Sequence, residues 1–214
     1  MRGLLCVFVL LALVAPSAVG GVILYQGSFN ADDQVQEFLF TIASTETVTI
    51  QTYGYAGGVV NSTTIPEGGF DPYLVLFTPT SNIPGSIIGC ANPANIDSVT
   101  GDCLDAYLQE TLGPGTYTLA LMVNDNSPTG GPFDPFADDG NPGFTCAEIG
   151  LTGEFCDVGS ALYELRTGNW ALTITGADSS VELPEPGALS LATIGAAMFA
   201  LWARRRKLFD WRLR

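Results

Sequence analysis

The residues best suited to chemistry in this sequence are the oxygen-bearing side chains of one loop. Residues 124–143, a run rich in Gly and Pro, carry Asp125, Asp134, Asp138, Asp139 and Asn141. Calcium takes about six to eight oxygen ligands from flexible loops, and this run supplies several of them. Their order does not follow the spacing of an EF-hand. The loop is therefore either a calcium site or an acidic surface loop, and Asp32 with Asp33 forms a second, weaker candidate.

Catalysis that depends on histidine is excluded, because the chain contains no histidine. This removes Ser-His-Asp triads, Cys-His pairs and histidine metal sites. A glycosidase needs only two carboxylates. The acidic residues here, however, stand mostly beside Gly, Pro and Asn, as on a solvated acidic surface. We therefore predict that the protein is not an enzyme and that calcium is the one cofactor to consider.

The N-terminus has the three-part layout of a secretory signal peptide. Arg2 precedes an apolar run from Leu4 to Val14, and small residues follow. Ala18 and Gly20 fit the small positions of a cleavage site, so we predict removal of residues 1–20. The alternative is a signal anchor that is never cut, which the short run disfavours.

Four cysteines fall in the exported segment: Cys90, Cys103, Cys146 and Cys156. An even number in an exported chain is typical of disulfides. Zinc is the alternative, but the segment has neither a CxxC pair nor a histidine. Of three possible pairings we predict Cys90 with Cys103 and Cys146 with Cys156, because each would close one loop between strands. Each closed loop should stabilise the fold by about 3 kcal/mol.

The segment between the two ends of the chain is strongly acidic. Residues 21–186 hold 21 of the 22 acidic residues and only one of the eight basic residues, Arg166, which gives a formal net charge of −20. Such a surface repels nucleic acid, so we predict no nucleic-acid partner. The frequent apolar residues in short alternating runs can bury a core. We expect one folded domain over residues 21–180.

Three features follow one another after this domain. Pro184, Glu185 and Pro186 come first, and 17 uncharged residues, 187–203, follow them. A basic cluster completes the pattern: Arg204, Arg205, Arg206 and Lys207. The uncharged run predicts a transmembrane helix of about 26 Å, and the basic cluster would stay on the cytoplasmic side. A plain membrane anchor is one interpretation.

This order of "PEP", an apolar span and "RRRK" resembles the PEP-CTERM sorting signal of Gram-negative bacteria that make extracellular polysaccharide. The two prolines keep the backbone extended, so a protease can bind it as a strand. The resemblance implies that residues 181–214 are recognised by an exosortase, a membrane cysteine protease-transpeptidase. It implies a transient stay in the inner membrane, removal of the tail, and delivery to the cell surface or extracellular matrix. Exopolysaccharide is the further partner that this setting suggests.

Seven runs rich in β-branched and aromatic residues are separated by clusters of Gly, Pro, Asn and Asp. The predicted strands cover residues 21–29, 35–43, 46–56, 73–78, 106–112, 116–123 and 169–177. We predict no amphipathic helix among them. The pattern predicts an all-β fold, an antiparallel β-sandwich or jelly roll. The sequence LGPGTY, residues 112–117, predicts a tight hairpin turn with Gly115 free to take a positive φ.

The strings FDPYLVLF and GPGTYTLAL, with the spacing between them, are similar to bacterial pre-peptidase C-terminal domains. The similarity covers roughly residues 27–125. It implies a small β-sandwich that accompanies secreted proteins and is not itself catalytic. The usual acidic pair after the LVLF strand is replaced here by the loop between Cys90 and Cys103.

Several aromatic residues are candidates for a sugar-stacking face: Tyr53, Tyr55, Phe70, Tyr73, Phe133 and Phe136. The alternative places period-two aromatics of this kind in the core. The sequence as a whole predicts a non-catalytic, exported surface or matrix protein that an exosortase processes. The alternative function is a calcium-dependent exopolysaccharide-binding module, and a hydrolase with paired carboxylates is the third.

Overall fold

The computed structural model describes residues 21–87, 95–160, 162 and 164–183. Strands dominate this part of the chain, with one short helix, α1 (Phe144–Glu148). The strands are β1 (Ile23–Ser28), β2 (Val35–Ile42), β3 (Glu46–Thr52), β4 (Gly58–Val60), β5 (Thr63–Ile65), β6 (Pro72–Phe77), β7 (Asn82–Pro84), β8 (Ser86–Ile87), β9 (Ala106–Leu112), β10 (Gly115–Val123), β11 (Asn169–Thr175) and β12 (Ser179–Glu182).

Two five-stranded antiparallel sheets share one core. Sheet A has the strand order β1-β11-β3-β9-β8, and sheet B has the order β12-β2-β10-β6-β7. Strands β4 and β5 form a separate antiparallel pair. The predicted all-β antiparallel sandwich is therefore confirmed for the described residues, while the predicted signal peptide and membrane helix lie outside them.

The core between the sheets follows the period-two alternation of the strands. Phe38 and Phe40 of β2 and Leu119 of β10 point inward from sheet B and are fully buried. Leu172 and Ile174 of β11 meet them from sheet A. Because successive side chains of a strand face opposite ways, each of these strands needs only alternate apolar residues to contribute to the core.

The outer face of sheet B carries a second, smaller apolar cluster. It consists of Val35, Tyr73, Val75, Phe77, Ala120, Met122 and Phe136. Glu37 of β2 stands opposite Ala120 of β10 on this face and is only 3% exposed. Its Oε1 atom has no hydrogen-bond partner among the described residues, and burial raises the pKa of Glu37 to about 7. This carboxyl is therefore largely protonated in mildly acidic solution.

All seven predicted strands are present, with ends that differ by a few residues. Five further strands were not predicted: β4, β5, β7, β8 and β12. Each of the five has only two to four residues, too few to show an alternating pattern. Helix α1 was not predicted either, and its five residues are too few for a helical period.

The predicted hairpin at residues 112–117 is wrong. Strand β9 pairs with β3 and β8 in sheet A, whereas β10 pairs with β2 and β6 in sheet B. The turn therefore carries the chain from one sheet to the other, and Gly115 does not take a positive φ. A strand-turn-strand pattern in the sequence is the same whether the second strand pairs with the first or crosses the sandwich.

Tyr117 fixes this crossing. Its hydroxyl donates a 2.9 Å hydrogen bond to the carbonyl of Gly113, four residues upstream, and its ring stacks on Phe40 at 5.6 Å between centroids. This is the arrangement of a tyrosine corner, in which a tyrosine near the start of a strand bonds back to the preceding turn.

Tyr117→Phe should lower the free energy of unfolding by about 1 kcal/mol, because it removes this hydrogen bond and keeps the ring. Urea denaturation followed by circular dichroism measures the loss. Tyr107→Phe is the matched control, since Tyr107 is half-buried on the neighbouring β9. Equal losses in the two variants would show that the corner bond has no special role.

Candidate functional site

The predicted calcium loop, residues 124–143, folds back over the outer face of sheet B. Phe136 is buried in the cluster on that face, and its backbone pairs with Pro128 across the loop. The side chain of Asn82 in β7 donates a 2.7 Å hydrogen bond to the carbonyl of Gly130. The loop is thus attached to the sandwich by the apolar side chain of Phe136 and by the hydrogen bond from Asn82.

Only two of the five predicted calcium ligands are joined to each other. Asp138 accepts a 3.0 Å hydrogen bond from the side chain of Asn141, whereas Asp134 accepts one of 2.7 Å from the amide of Gly131. Asp125 is exposed in a left-handed conformation, at φ 74°. Within the described residues, no group of three or more His, Cys, Asp or Glu is arranged to hold a metal ion. Calcium binding by this loop stays a prediction from the sequence.

The fifth predicted ligand, Asp139, is exposed near the second acidic candidate. Burial and the charge of Asp32 raise the pKa of Asp33, and Asp139 contributes in the same direction. Asp32 itself is fully buried. The two acidic candidate sites, the loop 124–143 and the pair Asp32 and Asp33, therefore lie next to each other.

Asp32 acts as an anchor for the start of α1. Its Oδ1 accepts a 2.6 Å hydrogen bond from the amide of Gly143. Its Oδ2 accepts hydrogen bonds from the amide and the hydroxyl of Thr145, at 2.9 Å and 2.7 Å. Both oxygens are engaged by the protein, so the observed role of Asp32 is to join two segments more than 100 residues apart.

The predicted pairing of Cys146 with Cys156 is confirmed, with 4.8 Å between their Cα atoms and a sequence separation of 10. Cys146 lies in α1, and the backbone of Cys156 pairs with that of Leu165. The bond therefore ties α1 to the segment that leads into β11. Cys103 is also disulfide-bonded, and its predicted partner Cys90 lies outside the described residues.

The sorting features predicted from the sequence also lie outside the described residues. They are the signal peptide 1–20, the motif Pro184, Glu185 and Pro186, the predicted membrane helix 187–203 and the basic cluster 204–207. Among the helices in the described part of the chain, none has the length and apolarity needed to cross a membrane.

The structure does describe the residue that immediately precedes the motif, Leu183. Its amide donates a 2.9 Å hydrogen bond to the carbonyl of Glu37, and its carbonyl accepts one of 2.8 Å from the side chain of Gln36. Strand β12 pairs with β2 as far as Glu182, opposite Phe38. The hydrogen bonding of sheet B thus continues to the residue before Pro184.

The predicted sugar-stacking face is not formed. Tyr55, Phe70 and Phe136 are buried, at 0%, 3% and 7% exposure. Tyr53 packs on the outer face of sheet A, whereas Tyr73 packs on the outer face of sheet B. Phe133 is 79% exposed in the loop. Four of the six aromatics are thus divided among three separate apolar clusters, and Tyr55 and Phe133 belong to none of them.

A buried polar network that the sequence analysis missed surrounds Arg166. The Nη2 atom of Arg166 donates to Asp97 Oδ2 and to the carbonyl of Tyr55, both at 3.0 Å, and Nε donates to the carbonyl of Gly69 at 2.8 Å. The guanidinium carbon lies 4.0 Å from the centre of the Tyr55 ring. Both charged side chains of the ion pair are almost inaccessible, at 3% and 0%.

Further aspartates join the network through Tyr55. The Tyr55 hydroxyl donates a 2.6 Å hydrogen bond to Asp157 and contacts Thr100 at 3.0 Å. Asp105 accepts hydrogen bonds from the amides of Tyr55 and Ala56, at 3.2 Å and 2.9 Å. The charge of Arg166 therefore acts on several buried carboxyls, although it forms an ion pair with Asp97.

The pKa shift of the carboxyl that Arg166 bonds directly differs in direction from the shifts of the other two. Burial would raise the pKa of Asp97, but hydrogen bonds from Arg166 and Thr100 lower it below its ordinary value. Burial raises the pKa of Asp105 and of Asp157, although hydrogen bonds to both oppose the shift. The network stabilises the fold rather than offering a binding site, because its hydrogen-bonding groups bond to other groups of the protein.

Asp71 lies beside this network without a cation of its own. It is 6% exposed and immediately precedes β6. Burial raises the pKa of Asp71 to about 8, and the charges of Asp157, Asp125 and Asp105 add to the shift, while a hydrogen bond from Asn124 opposes it. Asp71 is therefore mostly protonated at neutral pH.

A cleft of about 390 Å³ opens beside the edge strand of sheet A. Its lining residues come from β1, the turn after β3, the end of β5 with the residue after it, and the start of β11: Gln26, Gly27, Gly54, Ile65, Pro66, Asn169 and Trp170. This volume falls in the range of ligand pockets, about 300–1,000 Å³. None of the lining residues is charged, although the surrounding domain is strongly acidic.

Glycine at position 27 makes room for the indole of Trp170. A Cβ atom on Gly27 would lie 2.3 Å from Cζ2 of Trp170, which no side chain allows. Trp170 is 7% exposed and packs edge-on against Phe38 of the core. Its Nε1 atom is buried and has no hydrogen-bond partner in the part of the chain that the structure describes.

No protein-family model matches the chain, and a search of curated proteins finds no match. The assignment of a function therefore depends on the sequence features and on the geometry described above.

Proposed function

We propose that the protein is a non-catalytic, exported component of the cell surface or extracellular matrix of a Gram-negative bacterium, released from a transient inner-membrane anchor by an exosortase. The similarity of residues 183 to about 207 to PEP-CTERM sorting signals is the basis of this proposal. It accounts for the signal peptide, the apolar span and the basic cluster together.

The position of Leu183 is the structural observation that best supports the proposal. The sandwich uses the chain up to this residue, and Pro184 follows directly. Proline has no backbone N–H, so it cannot donate to a continued strand. Cleavage at the motif would therefore remove the tail without removing any residue of the described sandwich.

Replacing Pro184, Glu185 and Pro186 together with alanine in the native host should abolish processing. The variant should stay in the membrane fraction at its uncut size, whereas the wild-type chain reaches the surface fraction. Fractionation with immunoblotting measures both size and location.

A matched control removes Pro132 and Pro135, two prolines of the loop 124–143, and leaves the motif intact. This control should be sorted like the wild-type chain. Normal size and location of the triple-alanine variant would overturn the proposed function.

A further inference from the structure

We propose that the cleft beside β1 binds a neutral sugar unit of a polysaccharide. This inference goes beyond the proposed function and does not depend on the sorting signal. It requires no calcium, because the cleft has no carboxylate.

The lining offers the two kinds of surface that a sugar presents. Ile65 and Pro66 are apolar and suit the C–H groups of a pyranose ring. Gln26 and Asn169 are exposed amides, and each amide offers donors and an acceptor to hydroxyl groups. No hydrogen bond joins either side-chain amide to the described residues, so both are free for a ligand.

The two amides stand on the same face of the sheet. Asn169 of β11 pairs with Ser28, two residues along β1 from Gln26, and residues two apart on a strand share a face. Ile65 packs on Ala171 from above this face. The cleft therefore has an amide-bearing floor and an apolar wall, a combination that can orient a ring with hydroxyls on its edge.

The charge distribution selects a neutral ligand. The exported segment carries a formal net charge of −20, which repels acidic sugars at long range. The cleft itself offers no Lys or Arg to compensate an anion and no carboxylate to hold a cation. A neutral sugar avoids both penalties.

Trp170 reports on the cleft from the other side of the sheet. It is one of the lining residues, and its indole lies on the inner face, edge-on against Phe38. Binding next to Trp170 should therefore change its fluorescence.

The test uses the full chain in detergent with Trp202→Phe and Trp211→Phe, which leaves Trp170 as the only tryptophan. An array of neutral glycans identifies the sugar, and fluorescence titration with the corresponding oligosaccharide measures the affinity. We expect saturable binding, and we expect Gln26→Ala and Asn169→Ala each to weaken it about tenfold, equivalent to one lost hydrogen bond.

Gln109→Ala is the matched control, because it removes an exposed amide from β9 of the same sheet, away from the cleft. This variant should bind like the parent chain, and urea denaturation verifies that all three variants are folded. The inference would be overturned by any of three results: no binding to any neutral glycan, a Gln109→Ala variant that weakens binding as much as the cleft variants, or tighter binding of acidic sugars. None of these results bears on processing at the motif, which is measured in cells.

Discussion

Arg166→Met should destabilise the protein by about 3–5 kcal/mol at pH 7, the cost of removing one partner of a buried ion pair. The change leaves the buried carboxylate of Asp97 without its cation. It also leaves the carbonyl of Gly69 without the donor that Arg166 provides, and removes one of the two donors to the carbonyl of Tyr55, which keeps the amide of Gly68. Methionine fills part of the space and thereby limits any loss from packing. Urea denaturation at pH 7 measures the change in the free energy of unfolding.

Two further variants separate charge from shape. Arg166→Lys keeps the charge but cannot reach three acceptors with one planar group, so we expect an intermediate loss. Adding Asp97→Asn to Arg166→Met should recover part of the stability, because the uncompensated charge is gone. If Arg166→Met unfolds at the wild-type urea concentration, the buried ion pair does not stabilise the sandwich.

Asp71→Asn should make the protein more stable than the wild type at pH 9, by about 5 kcal/mol, and this advantage should shrink to about 1–2 kcal/mol at pH 5. The pKa of Asp71 rises from 3.8 to about 8 on folding. Between these values the folded state holds a proton that the unfolded state has released. The free energy of unfolding of the wild type therefore falls as the pH rises through this range. Asparagine resembles the protonated acid and cannot ionise.

Urea denaturation at several pH values between 5 and 9 provides the comparison. Glu37 acts in the same direction, because burial raises its pKa from 4.5 to about 7, so part of the wild-type slope should persist in Asp71→Asn. Glu148→Gln, at an exposed carboxyl of α1, is the control and should keep the wild-type profile. Parallel profiles for Asp71→Asn and the wild type would show that Asp71 ionises freely in the folded protein.

The long strands could be predicted because each carries its own pattern. Strand β2 alternates Phe38 and Phe40 with less buried neighbours over eight residues, enough to define a face. The pairing of Cys146 with Cys156 could be predicted because the two are only ten positions apart in the sequence. In both cases, residues close together in the sequence were enough to predict the feature.

Other features depend on contacts between distant residues. The turn at Gly113 joins two sheets, and only the pairing of whole strands distinguishes such a crossing from a hairpin. Asp32 was a candidate ligand in the sequence, yet it anchors Thr145, 113 residues away. Arg166 offered one usable signal, since it is the single basic residue of a very acidic segment. Its burial beneath Tyr55 follows from the tertiary structure alone.

Mass spectrometry of the protein recovered from the cell surface tests the central claim most directly. The proposed sorting predicts a chain that begins near Gly21, ends near Pro184 and contains the complete sandwich up to Leu183. Recovery of residues 187–214 on the surface-located protein would contradict the proposal.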